Sequence, residues 1–237
     1  MNKFLSMLVF LVCTNLATMF AQNTTLEVDN QYPGWLSSKI PFKDQASVQN
    51  LTVTGYINGT DVKFIRELMN NRQLSHLDLS DANIVAGGDA YYIDKWTDYK
   101  IKEDNFIDDY MFISEKKMKY LSLPKTITEF HSVSDYCSDL DTLVIGGDVK
   151  LLSIYSHVEK AKKCLIIREG VDSLKLTLNI CAKTVHLPST LKYLPLSTFY
   201  KDTIKVNIEN VNYFEDHCFS GGLERNLYIG VLDKDTI

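Results

Sequence analysis

The sequence predicts an α/β solenoid, in which stacked repeats form a curved parallel β-sheet with short helical or 3₁₀ segments on the opposite side. The main observation is a pair of apolar residues, two positions apart, that recurs every 20 to 22 residues, with one double interval of 44. The seven pairs are Leu77/Leu79, Leu121/Leu123, Leu143/Ile145, Leu165/Ile167, Val185/Leu187, Val206/Ile208 and Leu227/Ile229. A fixed period of this length is typical of stacked repeats, because one repeat cannot bury its apolar face alone.

A second apolar pair, three positions apart, supports the same period. In four repeats its members follow the first anchor by six and nine residues, and in the next repeat the pair is shifted back by one. These pairs are Ile127/Phe130, Val149/Leu152, Val171/Leu174, Leu191/Leu194 and Val211/Phe214. Residues two apart share one face of a strand, whereas residues three apart share one side of a helical turn. Each repeat is therefore predicted to contain a strand, a turn and a short helical or 3₁₀ segment.

The first 21 residues predict a secretory signal peptide. Lys3 precedes an apolar run from Phe4 to Leu16, and Ala21 is the small residue before the expected cleavage site. A membrane anchor is the weaker interpretation, because the run is short and polar residues follow it. Lipid attachment at Cys13 is disfavoured, because no small residue precedes it. We therefore expect an exported protein at the cell surface or outside the cell, with the periplasm as an alternative.

Residues 22–50 show no repeat and are predicted to cap the open end of the repeat domain. Leu26 and Val28 alternate like strand residues. Trp35 and Leu36 follow a Pro-Gly turn, and packing on the first repeat explains them better than a ligand site.

The repeat domain is predicted to cover residues 51–237 and to begin with an atypical strand at Leu51. After an Asn-Gly turn, Thr60 or Asp61 is expected to cap a helix that continues to Met69.

The double interval predicts an inserted loop at residues 85–105, which is rich in glycine, charge and aromatic residues. The alternative is a concealed repeat with a strand at Tyr99 and Ile101, since Tyr99 lies 22 residues after Leu77. Aromatic rings combined with acidic residues can bind a sugar or a protein side chain, although folding back over neighbouring repeats is also open. The candidate binding residues of this loop are Tyr91, Tyr92, Trp96 and Tyr99.

A second candidate surface is the face of the predicted sheet that points away from the core. Most residues between the anchors are polar, but Val144 and Ile166 form an apolar spot beside Arg168 and His186. Such a spot with polar surroundings can mark a partner site. The alternative is that β-branched residues simply suit strands.

Composition and motifs argue against nucleic-acid binding and catalysis. The chain has 25 basic and 30 acidic residues, so no broad positive field exists for nucleic acid. The five histidines are scattered, and no nucleophile, phosphate-loop or metal-ligand motif is present, so we expect no enzyme, no cofactor and no metal. For the cysteines of the exported chain, buried thiols are favoured over disulfides, and Cys164 is compatible with an outward-facing thiol. These cysteines are Cys137, Cys164, Cys181 and Cys218.

Two segments resemble the BspA-like leucine-rich repeat. Residues 121–130 read LSLPKTITEF and lead to CSDL at 137–140, and HLPSTL at 186–191 repeats the proline form. The resemblance covers residues 51–237 and implies a leucine-rich-repeat solenoid that is exported or displayed on a bacterial surface. It also implies adhesion to a host or bacterial surface protein, and it carries no catalytic residues. The expected function is thus a non-enzymatic adhesion or protein-interaction module, with an accessory glycan-binding protein that uses the 85–105 loop as the alternative.

Overall fold

A computed structural model describes most of the chain. The described residues are 24–112, 118–130, 140–154, 164–176, 184–194, 203–206, 213–214 and 226–229. The predicted signal peptide at residues 1–21 lies outside them, as do Cys137, Cys181 and Cys218.

The described residues form short strands and three helices. The strands are β1 Thr24–Asn30, β2 Val48–Ile57, β3 His76–Asp78, β4 Ala82–Ile84, β5 Gly87–Ile93, β6 Asp98–Ile101, β7 Phe106–Ile107, β8 Tyr120–Ser122, β9 Glu129–Phe130, β10 Thr142–Ile145, β11 Leu151–Ile154, β12 Cys164–Ile167, β13 Ser173–Leu176, β14 Thr184–His186, β15 Tyr193–Leu194, β16 Thr203–Val206, β17 Tyr213–Phe214 and β18 Asn226–Ile229. The helices are α1 Leu36–Lys39, α2 Phe42–Gln45 and α3 Gly59–Asn71. Among the described residues, no helix combines the length and the apolar character needed to cross a membrane.

The repeated anchors build a ten-stranded parallel sheet. Its strands run in the order β1-β2-β3-β8-β10-β12-β14-β16-β18, and β4 also pairs with β2. In this large sheet the first anchors stand in register from strand to strand and are buried in one continuous core. They are Leu51, Leu77, Leu121, Leu143, Leu165 and Val185. The prediction of an α/β protein with a mostly parallel sheet is therefore confirmed.

The last described strand pair departs from the spacing of the sequence repeat. β16 and β18 align Val206 with Ile229 and Ile204 with Leu227, whereas the sequence period aligns Val206 with Leu227. The pairing is therefore shifted by two residues from the 21-residue spacing of Val206 and Leu227.

A second parallel sheet occupies the side where helical segments were expected. Six short strands pair in the order β17-β15-β13-β11-β9-β7. The helical prediction is wrong for these repeats, because Leu152 and Leu174 are in-register strand residues and both are buried. In each of four repeats the first member of the second pair lies two positions before the strand, in the preceding turn. A single apolar pair three positions apart fits both arrangements, because one member can lie in the turn and the other in the strand, or both can lie on one side of a helix.

The segment before the repeats contributes the edge strand of the large sheet. β1 pairs parallel to β2, with Leu26 opposite Leu51 and Val28 opposite Val53. Of the two residues expected to pack on the first repeat, Leu36 is fully buried whereas Trp35 is exposed.

Helix α3 begins earlier than predicted. Its N-cap is Asn58, whose side-chain oxygen accepts hydrogen bonds from the amides of Thr60 and Asp61 at 3.0 and 3.5 Å. The Asp61 carboxylate in turn accepts the Asn58 amide at 3.0 Å, which completes a capping box. The same carboxylate, itself buried, also accepts the amides of Gly34 and Leu36 at 2.5 and 2.9 Å. Asp61 therefore ties the turn before α1 to the start of α3.

Among its described residues, the double interval adds only the short strand β4 to the large sheet, where it pairs with β2. β3 pairs directly with β8, so that Leu77 lies opposite Leu121. Between them, β5 and β6 form an antiparallel hairpin in which Tyr99 pairs with Tyr92 and Ile101 with Gly87. The hairpin packs against α3. Asp89 forms an ion pair with Lys63, and the amide of Asp89 donates a hydrogen bond to the Thr60 hydroxyl.

Candidate ligand-binding surface

The side of the large sheet that points away from the main core forms a regular surface across the described strands. We call it the outer face and define it by the residues that alternate with the buried anchors on β1, β2, β3, β8, β10, β12 and β14. These are Thr25, Glu27, Asn50, Thr52, His76, Asp78, Tyr120, Ser122, Thr142, Val144, Cys164, Ile166, Thr184 and His186. Because the strands are parallel and in register, these side chains form two rows across the sheet.

A cavity of about 610 Å³ lies on the outer face over β2, β3 and β8. Its lining combines an amide, two hydroxyls, a carboxylate and two rings, and comes from Asn50, Leu51, Thr52, His76, Asp78 and Tyr120. The rings of His76 and Tyr120 lie side by side on adjacent strands, with centroids 6.2 Å apart and planes inclined by 16°. The cavity therefore offers both flat aromatic surface and polar groups.

Asp78 supplies the charge of this cavity. Its carboxylate accepts a hydrogen bond from the amide of Ser80 at 2.8 Å. Burial raises the pKa of Asp78, but hydrogen bonds from the Ser80 amide and the Ser122 and Ser80 hydroxyls, together with the charge of Arg168, outweigh burial. The net pKa is lowered, so this carboxylate is ionised at neutral pH.

Arg168, which was predicted to bind a ligand, is held by the protein itself. Its guanidinium donates to the carbonyl oxygens of Leu123 and Gly146 at 2.9 and 2.8 Å and to the Ser122 hydroxyl at 2.5 Å. These acceptors belong to β8 and to the residues that directly follow β8 and β10. Burial lowers the pKa of Arg168, and the nearby Asp78 opposes that shift. Arg168 thus links three neighbouring repeats and closes one side of the polar region around Ser122.

The apolar spot predicted at Val144 and Ile166 is smaller than expected. Val144 is only 6% exposed, because Ser122 and Ile166 flank it in register on the adjacent strands. Ile166 and His186 are half-buried, and burial lowers the pKa of His186. A neutral imidazole beside Ile166 leaves this part of the outer face weakly polar.

Cys164 lies on the outer face, as its position before an anchor allowed. It is a free, half-buried thiol, and burial raises its pKa. A raised pKa keeps the less reactive thiol form at neutral pH.

The hairpin uses three of its four predicted binding residues for internal packing. Tyr91 is buried, and its hydroxyl donates to the Asp109 carbonyl at 3.0 Å. Tyr92 and Tyr99 contact each other and Tyr110, with ring centroids 4.8 to 5.6 Å apart. These rings therefore serve mainly to dock the hairpin.

Two further contacts define this cluster and its exposed end. The Arg66 guanidinium of α3 lies 5.0 Å from the Tyr92 ring centroid and also donates to the Tyr110 carbonyl. Trp96, at the tip of the hairpin, is 90% exposed. Of the four predicted residues, Trp96 is the one whose ring is free to meet a ligand.

Sequence reasoning did not find the cavity on β2, β3 and β8. It placed Thr52 and Asp78 among the polar residues between the anchors, counted His76 only as one of five scattered histidines, and did not consider Tyr120. The signal was present, since His76 and Tyr120 each occupy the position directly before an anchor. The double interval concealed it, because two residues 44 positions apart become neighbours only when β3 pairs with β8.

No protein-family model and no curated protein sequence matches the chain. Among the described residues, no group of three or more histidine, cysteine or acidic side chains is placed to hold a metal ion. The outer face and the hairpin are therefore the candidate binding surfaces of the described chain.

Proposed function

We propose that the protein is an exported, non-enzymatic leucine-rich-repeat solenoid that acts as an adhesion or protein-interaction module at a bacterial cell surface. The predicted signal peptide supports export. The resemblance of residues 121–130 and 186–191 to BspA-like repeats, together with the repeat-to-repeat register of both parallel sheets, supports the leucine-rich-repeat assignment. The expected partner is a surface protein of a host or of another bacterium.

The observation that carries this proposal is the continuity of the outer face. The outer face lies on seven neighbouring strands, β1, β2, β3, β8, β10, β12 and β14. Six intervals of about 4.8 Å separate them, so the face spans about 29 Å. A surface of this width suits a protein partner better than a small molecule. Its side chains are mostly polar and are held on a rigid sheet, which lowers the entropic cost of binding.

The direct test is binding of immobilised protein to a panel of host and bacterial surface proteins, with one substitution on each sheet. Ile166→Asp places a charge on the outer face, and Leu151→Asp makes a matched change at a half-exposed position of the second sheet. We expect Ile166→Asp to weaken partner binding at least tenfold and Leu151→Asp to leave it within twofold. Urea unfolding of both variants separates lost binding from lost folding. Equal losses in two folded variants would contradict a partner site on the outer face.

A second candidate function is glycan binding through the hairpin, and the exposure of Trp96 is the observation that favours it. An exposed indole ring can stack on a sugar. On a glycan array, Trp96→Ala should abolish binding, while Ile93→Ala, at a neighbouring position that is 63% exposed, should preserve it. Equal binding by wild type and Trp96→Ala would remove the hairpin from consideration.

A further inference from the structure

The β1–β3 end of the outer face carries only negative formal charge. Glu27 on β1 and Asp78 on β3 stand in register on either side of Thr52 on β2. Asp29 lies one pleat further along β1 and is also exposed. The strands β1, β2 and β3 contain no lysine or arginine. Two carboxylates two strand spacings apart, about 10 Å, therefore flank a polar centre with no opposing charge on these strands.

Several polar groups in the cavity are free to meet a ligand. The hydroxyls of Thr52 and Tyr120 form no hydrogen bond with any other described residue. Asn50 uses its amide nitrogen to donate to Thr25 at 3.0 Å, which leaves its carbonyl oxygen available. Ser75 engages Nδ1 of His76 at 2.9 Å, so that Nε2 remains available.

We infer that this cavity receives an arginine or lysine side chain from an extended segment of a protein partner, an assignment that rests on the proposed protein-interaction function. We call it the acidic cavity and define it by Asn50, Thr52, His76, Asp78 and Tyr120. The carboxylate of Asp78 forms the ion pair, and the Tyr120 and His76 rings receive the flat side of the cation.

Arg168 restricts where the incoming cation sits. Its guanidinium is fixed by three hydrogen bonds on the β8–β12 side of Asp78, where it repels a second cation. The open position is therefore the Glu27 side, over Thr52. Charge complementarity favours a cation over a neutral sugar. A sugar hydroxyl can bind to uncharged polar groups, so it would not explain why two carboxylates lie at this end of the face.

Arginine is the better fit of the two basic residues. Its planar guanidinium can bind a carboxylate with two parallel hydrogen bonds and stack on an aromatic ring at the same time, whereas an ammonium group is a compact, strongly hydrated charge. The acidic cavity should thus bind arginine-containing segments more tightly than lysine-containing ones.

The test uses three fluorescein-labelled Gly-Ser peptides that carry three arginines, three lysines or three glutamates. Fluorescence anisotropy with the folded protein measures their affinity. The main variants are Asp78→Asn and Glu27→Gln. The matched control is Asp89→Asn, which removes the same charge from an exposed position on the hairpin.

We expect the arginine peptide to bind, Asp78→Asn to weaken it at least tenfold, Glu27→Gln to weaken it about threefold and Asp89→Asn to change it less than twofold. Raising the salt concentration should weaken binding, because part of the attraction is screened. If Asp78→Asn perturbs the Arg168 network, Glu27→Gln still reports on the acidic cavity, since Glu27 is exposed on the edge strand.

Three results would overturn the inference. One is equal weakening by Asp78→Asn and Asp89→Asn, which indicates attraction to the net charge alone. Another is tight binding of the glutamate peptide or no binding of either basic peptide. The third is binding of a neutral oligosaccharide that Asp78→Asn abolishes and Trp96→Ala does not, which indicates a sugar site in the acidic cavity. If Ile166→Asp loses partner binding but neither basic peptide binds, the protein-interaction function stands and only the acidic cavity is removed. If the basic peptides bind in an Asp78-dependent way but no surface protein binds, only the broader function is removed.

Discussion

Replacement of Arg168 by alanine removes three hydrogen bonds that connect neighbouring repeats across the outer face. Two go to the carbonyl oxygens of Leu123 and Gly146, and the third goes to the buried Ser122 hydroxyl. A hydrogen bond to a charged donor contributes about 1.5–3 kcal/mol when buried. Arg168 is half-buried, so water can replace part of each bond, and we take about 1 kcal/mol for each. The free energy of unfolding should fall by about 3 kcal/mol.

Urea unfolding followed by circular dichroism measures this loss. Arg168→Lys should lose about 2 kcal/mol, because one ammonium group cannot reach all three acceptors in the planar arrangement of a guanidinium. The control is Lys150→Ala, which removes a mostly exposed ion pair with Asp172 and should cost less than about 0.5 kcal/mol. An Arg168→Ala protein as stable as Lys150→Ala, yet deficient in partner binding, would refute the structural role and restore Arg168 as a ligand contact.

Two further substitutions test contacts away from the outer face. Asp61→Ala leaves three backbone amides without their acceptor and should lower the free energy of unfolding by about 3–5 kcal/mol. The control Asp81→Ala, at an exposed position, should lower it by less than about 1 kcal/mol. A loss no larger than that of the control would show that water replaces the Asp61 carboxylate. Burial, followed by the charges of Asp108 and Asp109, raises the pKa of Tyr91, so the unfolded chain ionises this phenol first and stability is lost as the pH rises above about 10. Tyr91→Phe should lower the free energy of unfolding by about 1 kcal/mol at pH 7, and urea unfolding should show a smaller further loss at alkaline pH than in the wild type. The control Tyr32→Phe, at an exposed position, should lose stability with pH as the wild type does. A Tyr91→Phe protein that loses as much stability with pH as the wild type would contradict the buried phenol.

The sequence was sufficient for the main core and insufficient for the opposite side. Leu77, Leu121 and Leu143 were placed in register because their spacing is long-range and strict, and each is buried as predicted. The segment at Leu152 was predicted as a helical turn, but it is a strand. Its two-residue apolar pattern suits both conformations, and pairing with Leu174 in the next repeat decides between them.

For the candidate site, the sequence predicted which face a residue occupies but not whether that residue is accessible. Sequence reasoning identified the outer face, because alternation of side chains follows from any strand assignment. It predicted that Arg168 and Val144 were available to a partner, but Arg168 is engaged by three protein acceptors and Val144 is buried. Accessibility depends on what neighbouring strands place beside a residue, and a local pattern does not contain that information.

By itself, the sequence determined the repeat period, the buried anchors and the face on which polar residues lie, because these depend on spacing within one chain segment and on the need to bury apolar surface. Only the tertiary structure decided that β3 and β8 are neighbours across 44 residues, which brings His76 beside Tyr120 and creates the acidic cavity. It also decided that the tyrosines of the hairpin pack on α3 and leave Trp96 exposed. The physical reason is that cavities and packed clusters arise from contacts between distant segments, whose geometry is set by strand pairing and not by local residue preference.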